Sequence, residues 1–119
     1  MKESIVVTKS FDFAIRIVNL YKFLLEMKRE YVMSKQILRC VTSIGANVRE
    51  SQSAESKPDF IHKLSVALKE VDETSYWLEL LYKTEFITNE QYESLIFDTL
   101  ELRKIISSII LTSRGTHNS

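Results

Sequence analysis

The chain has 119 residues, 45 % of them apolar, enough for one domain with a self-sufficient core. Two glycines and one proline are too few for most β-rich or α/β domains and point to long helices with few connections. Sixteen Lys/Arg balance sixteen Asp/Glu, so no strong overall charge draws the chain to nucleic acid or an anionic surface.

The charge is nevertheless unevenly placed. Residues 1–50 hold nine Lys/Arg against five Asp/Glu, a balance of +4, and residues 51–119 hold seven against eleven, a balance of −4. Either the two halves attract each other within one bundle, or the first half presents a basic surface to nucleic acid. Met1 to Thr8 carries charge and a short apolar run, unlike a secretion signal. No window reaches 18 uninterrupted apolar residues, so no membrane span is expected. Cys40 is the single cysteine, which excludes an intramolecular disulfide and a cysteine zinc site and fits a reducing cytoplasm.

Periodicity predicts a first helix over residues 8–29. It carries two apolar stripes at 3–4 spacing: Phe11, Ala14, Val18, Tyr21, Leu25, and Phe13, Ile17, Leu20, Leu24, Met27. A helix buried on one side needs one stripe, so the second suggests burial on another face. The second helix is predicted over 34–54, with Ser34 as its N-cap. At 100° per residue, Ile37, Val41, Ile44 and Val48 share one face. Gln36, Arg39, Cys40, Ser43, Asn47 and Glu50 form a mostly polar stripe on its flank.

Gly45 sits mid-helix, where glycine costs roughly 1 kcal/mol relative to alanine. Gly45 and Ala46 together let another backbone approach closely, either a neighbouring helix of the bundle or a ligand or partner. Arg39 can reach Ser43 and, across a helix pair, a carboxylate such as Glu70 or Glu73 on the third helix; half-buried, these groups need partners. The stripe Gln36, Arg39, Ser43, Asn47, Glu50, Glu70, Glu73 is thus either a network that sets helix register or a polar pocket or subunit contact.

The third helix is predicted over 57–83. Ser56 caps it, Pro58 suits the first turn, and Asp59 complements the dipole there. Its seam is Phe60, Leu64, Ala67, Val71, Thr74, Leu78. The fourth helix is predicted over 89–114, opened by a Thr88/Gln91 capping box. Its seam is Tyr92, Leu95, Thr99, Leu102, Ile106, Ile109, with Phe97, Leu100, Ile105 and Leu111 outside it. The tail from Thr116 is expected to fray. Short connections make consecutive helices antiparallel neighbours, so residues 1–119 read as one all-α, up-down-up-down antiparallel four-helix bundle.

The run QILRCVTSIGANVRESQSAES, followed by DFIHKLSVALKEVDETSYWLELL, resembles the four-helix-bundle proteins encoded by intervening sequences of bacterial 23S ribosomal RNA genes. The matching residues are Gln36, Arg39, Ser43, Ile44, Gly45, Ala46, Asn47 and Glu50. On the third helix they are Phe60, Lys63, Leu64, Ala67, Glu70, Glu73, Thr74, Tyr76, Trp77 and Leu78. The segment SFDFAIRIVNLYKFL also fits, and the likeness covers about residues 8–113. The resemblance implies a bundle that assembles as a ring, typically a homopentamer. Related bundles are accessory factors of diversity-generating retroelements and bind nucleic acid through a basic surface. This chain differs from them in its zero net charge.

No catalytic constellation is legible. His62 and His117 are the only histidines, no Glu-x-x-His pair occurs, and P-loop and dinucleotide fingerprints are absent. Cys40 reads as a small packed residue. Trp77 and Tyr76 read as core or interface anchors, with base stacking the alternative. The expectation is a cytoplasmic, self-assembling protein that is not an enzyme, with no cofactor, metal, membrane or identified small-molecule substrate. Its candidate partner is RNA or DNA, met by Lys22, Lys28, Arg29, Lys35, Arg39 and Arg49. A protein-interaction scaffold without nucleic-acid contact is the alternative.

Overall fold

In a computed structural model describing residues 4–115, four helices follow one another: α1 (Ile5–Lys28), α2 (Met33–Ser51), α3 (Lys57–Lys83) and α4 (Asn89–Gly115). Thr116 to Ser119, including His117 and the expected fraying tail, lie outside the described residues. The bundle measures 51 × 24 × 21 Å.

The local signals account for two of the four helix starts. Ser56 Oγ accepts the Asp59 N–H at 3.2 Å, with Pro58 and Asp59 in the first turn of α3. Thr88 and Gln91 exchange reciprocal bonds, Thr88 N–H to Oε1 at 2.8 Å and Gln91 N–H to Oγ1 at 3.1 Å. These are interactions between residues three apart, so they depend little on tertiary context.

The start of α2 differs from expectation. Ser34 is not the N-cap; it lies inside the helix and is fully buried. Glu30, in the preceding turn, caps instead. Its carboxylate accepts the N–H groups of Val32 at 3.1 Å, Met33 at 3.0 Å and Ser34 at 2.7 Å. The Ser34 hydroxyl donates back to the Glu30 carbonyl at 2.9 Å. A glutamate reaches further than a serine and satisfies three orphan donors at once. Three residues precede the predicted start of α1, and α2 stops at Ser51 rather than Ala54. Arg29 adopts a left-handed conformation, φ 52°, which reverses the chain so that Glu30 N–H meets the Leu24 carbonyl at 2.9 Å.

Each helix packs on its sequence neighbours, and α1 closes on α4 through a thinner contact. Cross-helix pairs establish the antiparallel sense. Lys9 meets Glu101 and Arg16 meets Asp98 across α1/α4, at 3.0 and 2.7 Å. Arg39 meets Glu70 and Glu50 meets Lys63 across α2/α3. Arg103 meets Asp72 and Tyr82 stacks on Tyr92 across α3/α4. Of the six ion pairs among the described residues, four join a cation of residues 1–50 to an anion of residues 51–119. The charge asymmetry is thus partly consumed inside the bundle.

Ile17, Leu24, Ile37, Ile44, Leu64, Leu78, Leu81, Leu102 and Ile106 form the fully buried centre. Burying each such side chain contributes roughly 1.5–3 kcal/mol. Thr74 and Thr99, polar members of the α3 and α4 seams, are also buried. Each hydroxyl donates to its own helix, to Glu70 O at 2.7 Å and Leu95 O at 2.8 Å, which removes the cost of an unpaired group. Late in α4 the seam passes through Ile110 as well as the half-buried Ile109.

The two stripes of α1 are unequal. Phe13, Ile17, Leu20 and Leu24 line the core, whereas Met27, assigned to the same stripe, is exposed. In the other stripe Ala14, Val18, Tyr21 and Leu25 are half-buried and Phe11 is exposed. Outside the α4 seam, Phe97, Leu100 and Leu111 are exposed as expected, while Ile105 is half-buried against the core.

Candidate functional site: the α2–α3 polar stripe and a basic end

Antiparallel packing of α2 on α3 brings the middle of the predicted stripe together. Arg39 is the hub. Its Nη1 lies 3.3 Å from a Glu70 carboxylate oxygen, its Nη2 hydrogen-bonds Glu73, and its Nε donates to Gln36 Oε1 at 3.3 Å. Trp77, one turn beyond Glu73, donates its indole N–H to the same carboxylate at 3.0 Å. Tyr76 meets the Trp77 ring edge-on, with centroids 5.0 Å apart. The rest of the stripe does not converge on Arg39. Glu50 pairs with Lys63 at 3.1 Å, nearer the far end of α2. Asn47 donates to the Ser43 carbonyl at 2.9 Å and to its hydroxyl at 3.2 Å, both within α2.

Cys40 lies beneath this network, fully buried. Burial chiefly, and then its hydrogen bond to Glu73, pushes the thiol up to about 12. Hydrogen bonds from the Trp77 indole and the Cys40 thiol hold the Glu73 carboxyl below its ordinary value, against desolvation and with help from Arg39. Donor atoms of Cys40, Glu70 and Glu73 lie within 4.8 Å of one another. Arg39 already supplies the positive charge at that spot, and burial keeps the metal-free thiol protonated. The same protonation makes it a poor nucleophile. What the cluster does within the chain is join α2 to α3 through Arg39, Glu70 and Glu73. Half the Arg39 side chain is solvent-exposed, so each ion pair contributes only about 0–1 kcal/mol. Trp77 and Lys63 are the members that the sequence-level site omitted; the signal was spacing, since Trp77 follows Glu73 by four residues on one helix face.

Gly45 faces the α1 backbone. A Cβ there would stand 4.0 Å from the Ser10 carbonyl oxygen, ordinary van der Waals contact. Ala46 is exposed.

The six basic residues do not form one patch. Lys22, Lys28, Arg29, Lys35 and Arg49 are exposed and have no ion-pair partner among the described residues. Arg39 is tied to the two glutamates. Lys28, Arg29 and Lys35 gather at the α1–α2 turn, with Lys22 further back along α1. Lys28 Nζ stands 5.8 Å from the Phe23 ring centre. Arg49 is fourteen residues from Lys35, about 21 Å along α2, and lies over the Phe11 ring at 4.8 Å. His62 is exposed on α3. No helix among the described residues is long and apolar enough to cross a membrane.

No protein of curated function matches the chain. Among solved structures, a protein of unknown function from the S23 ribosomal protein family of Bacteroides thetaiotaomicron superposes with a TM-score of 0.88 at 61 % identity. The match covers 89 % of this chain and 98 % of that one. The family model for the 23S rRNA-intervening sequence protein matches residues 2–108. With the four-helix architecture and this near full-length match, the chain belongs to the 23S rRNA-intervening sequence protein family.

Proposed function

We propose that the protein is a non-enzymatic, cytoplasmic, self-assembling accessory factor that binds RNA or DNA through the end of the bundle formed by the α1–α2 turn. The observation that carries this reading is the trio Lys28, Arg29 and Lys35, exposed and without ion-pair partners among the described residues at one turn. Five other basic side chains, Lys9, Arg16, Arg39, Lys63 and Arg103, are instead engaged with carboxylates. Cations left unpaired at the end of a bundle are available to phosphate. Assembly multiplies them: a ring of subunits, five by family resemblance, turns three cations into a basic rim. Self-assembly itself is favoured by the exposed apolar side chains of α1 and α4, since large exposed patches on a soluble chain mark contact surfaces.

A second reading, a protein-interaction scaffold, has an observation of its own. Glu85 and Glu90 are exposed in the α3–α4 turn and the first turn of α4, at the same end of the bundle. They oppose a polyanion there.

The deciding experiment is an anisotropy titration of single-stranded RNA and duplex DNA at two salt concentrations. Phosphate contacts release counterions, so affinity must fall as salt rises. The expected result is binding at low salt that weakens with added salt and is lost in a Lys28→Glu/Arg29→Glu/Lys35→Glu variant of unchanged oligomeric state. Absence of binding at low salt by the intact oligomer overturns the nucleic-acid reading in favour of the scaffold.

A further inference from the structure

The end of the bundle that carries the α1–α2 turn also carries the α3–α4 turn, and between the two lies a cleft of about 380 Å³. That volume is within the range of small-ligand sites. Phe23 and Lys28 of α1 line one side; Tyr82, Glu85, Phe86 and Asn89 line the other. Phe23, Tyr82 and Phe86 are half-buried, so part of each ring faces the opening. Tyr82 is stacked on Tyr92 with centroids 4.7 Å apart, which stiffens that wall. Lys28 and Glu85 are exposed and line the same cleft, yet neither has an ion-pair partner among the described residues. A cation and an anion therefore stand free at the two sides of one aromatic cleft.

The backbone singles out the same two turns. Among the described residues, the non-glycine residues with positive φ are Arg29 at 52° and Glu85 at 68°. Each follows the last turn of its helix. Glu30 N–H reaches Leu24 O at 2.9 Å, and Phe86 N–H reaches Leu81 O at 2.9 Å. Glycine is the ordinary residue at such a position, because it takes a left-handed backbone without steric cost. Glu85 carries that strain together with a carboxylate that has no partner, and strain of this kind gathers at functional sites.

We propose that the cleft holds one unpaired base of a single-stranded nucleic acid, guanine before the others, while Lys28, Arg29 and Lys35 hold the neighbouring phosphates. The inference rests on the nucleic-acid reading above and names the form of nucleic acid and the base that this end of the bundle takes. Every base has a π-face, so the rings of Phe23 and Phe86 offer a stacking surface to any of them. A base inside a duplex keeps its faces against its neighbours and must first be unstacked. A single strand presents its bases freely.

The choice of base comes from Glu85. A carboxylate only accepts hydrogen bonds. Guanine alone of the common bases offers two adjacent donors on its pairing edge, N1–H and the N2 amino group, which match two carboxylate oxygens. Adenine and cytosine set a ring acceptor beside their amino group. Uracil flanks its single N–H with two carbonyls. Each of these turns a lone pair toward the carboxylate. The Asn89 side-chain amide, on the same wall, can donate to guanine O6. The acid that opposes phosphate at this end is thus the group that selects the base.

The test is an anisotropy titration of the intact protein at low salt. The labelled probes are a single strand of uridine alone, a strand of equal length alternating uridine and guanosine, and a duplex of that length. Wild type is expected to bind the guanosine-containing strand about tenfold more tightly than the uridine strand, and more tightly than the duplex. Glu85→Gln is expected to abolish the guanosine preference without weakening the uridine strand, since one repelling charge is gone. Phe86→Leu keeps apolar bulk but removes the ring, and is expected to weaken both strands about tenfold while leaving the duplex unchanged. Circular dichroism and thermal melting verify that both variants remain folded bundles. Unlabelled guanosine monophosphate is expected to compete at least about a hundredfold less well than the unlabelled strand, because it lacks the phosphates that reach Arg29 and Lys35. Equal competition would make the ligand a free nucleotide and overturn the strand. Strands bound without a guanosine preference, or a preference that Glu85→Gln retains, overturn the base site while leaving the phosphate contacts standing. No binding of any probe at low salt overturns both.

Discussion

Replacing Glu30 by alanine isolates the most unusual local feature of the fold. Glu30 is only 8 % exposed, and its carboxylate accepts three backbone N–H groups at the start of α2. Substituting an ordinary N-cap costs about 0.5–2 kcal/mol. Here the acceptor is charged and one of the freed donors, the Ser34 N–H, is buried, where an unmade bond costs about 1–3 kcal/mol. Val32 is exposed and Met33 half-buried, so water replaces part of what they lose. The expected loss is therefore about 2–3 kcal/mol, or roughly 8–12 °C in melting temperature for a chain of this size. Glu30→Gln keeps one acceptor oxygen without the charge and should lose about 1 kcal/mol.

The pH dependence carries a sign of its own. Burial acts to raise the Glu30 pKa, but the hydrogen bonds from Ser34, Met33 and Val32 outweigh it and hold the group below 4.5. A carboxylate with a depressed folded-state pKa contributes stability above its unfolded value. That contribution declines as pH falls below about 4.5 and is gone once the folded value is passed. Urea denaturation of wild type and Glu30→Ala at pH 7 and at successive values below 4.5, at one protein concentration, measures both effects. The stability gap should be widest at neutral pH and narrow with acid. A Glu30→Ala protein within 0.5 kcal/mol of wild type at pH 7 would show that the cap does not support α2.

Gly45 and Cys40 carry two further expected outcomes. Gly45→Ala should raise stability by up to about 1 kcal/mol in chemical denaturation, because the new Cβ meets Ser10 O at ordinary contact distance while the helix penalty of glycine disappears; a loss of stability would mean that Gly45 is needed for an approach tighter than this one. Cys40, buried with its thiol pushed up to about 12, should resist a thiol reagent at pH 8 in the folded protein and react fully in denaturant; rapid labelling of the folded protein would show that the α2–α3 seam opens.

Much of the architecture was legible because its causes are local. The 3–4 spacing of Leu64, Ala67, Val71, Thr74 and Leu78 is a property of one segment, and that seam is fully buried. The Ser56 and Thr88/Gln91 caps span three residues each, so reading them requires no knowledge of the rest of the chain. Glu30 escaped because its cap is formed by a long side chain folding back over a turn whose path depends on the left-handed Arg29. A serine in the conventional position was the stronger local pattern, and it was misleading.

Other features belong to the tertiary level. Two stripes on α1 had equal periodicity, yet the antiparallel packing of α2 and α4 buried Phe13, Ile17, Leu20 and Leu24 and left Phe11 outside. Periodicity marks which residues share a face but not which face meets a neighbour. Glu70 and Glu73 were both candidate partners for Arg39 from the sequence, and the α2–α3 register gave Arg39 both. Ser43 and Asn47, four residues apart on α2, bond each other rather than α3. The basic residues were all visible in the sequence, but only the fold separated Arg49 from the turn that holds Lys28, Arg29 and Lys35, by carrying it the length of a rigid helix. Helix formation is decided between residues three and four apart, so the sequence determines it directly. The meeting of side chains from different helices is decided by how those rods are placed, and that is known only when the whole bundle has closed.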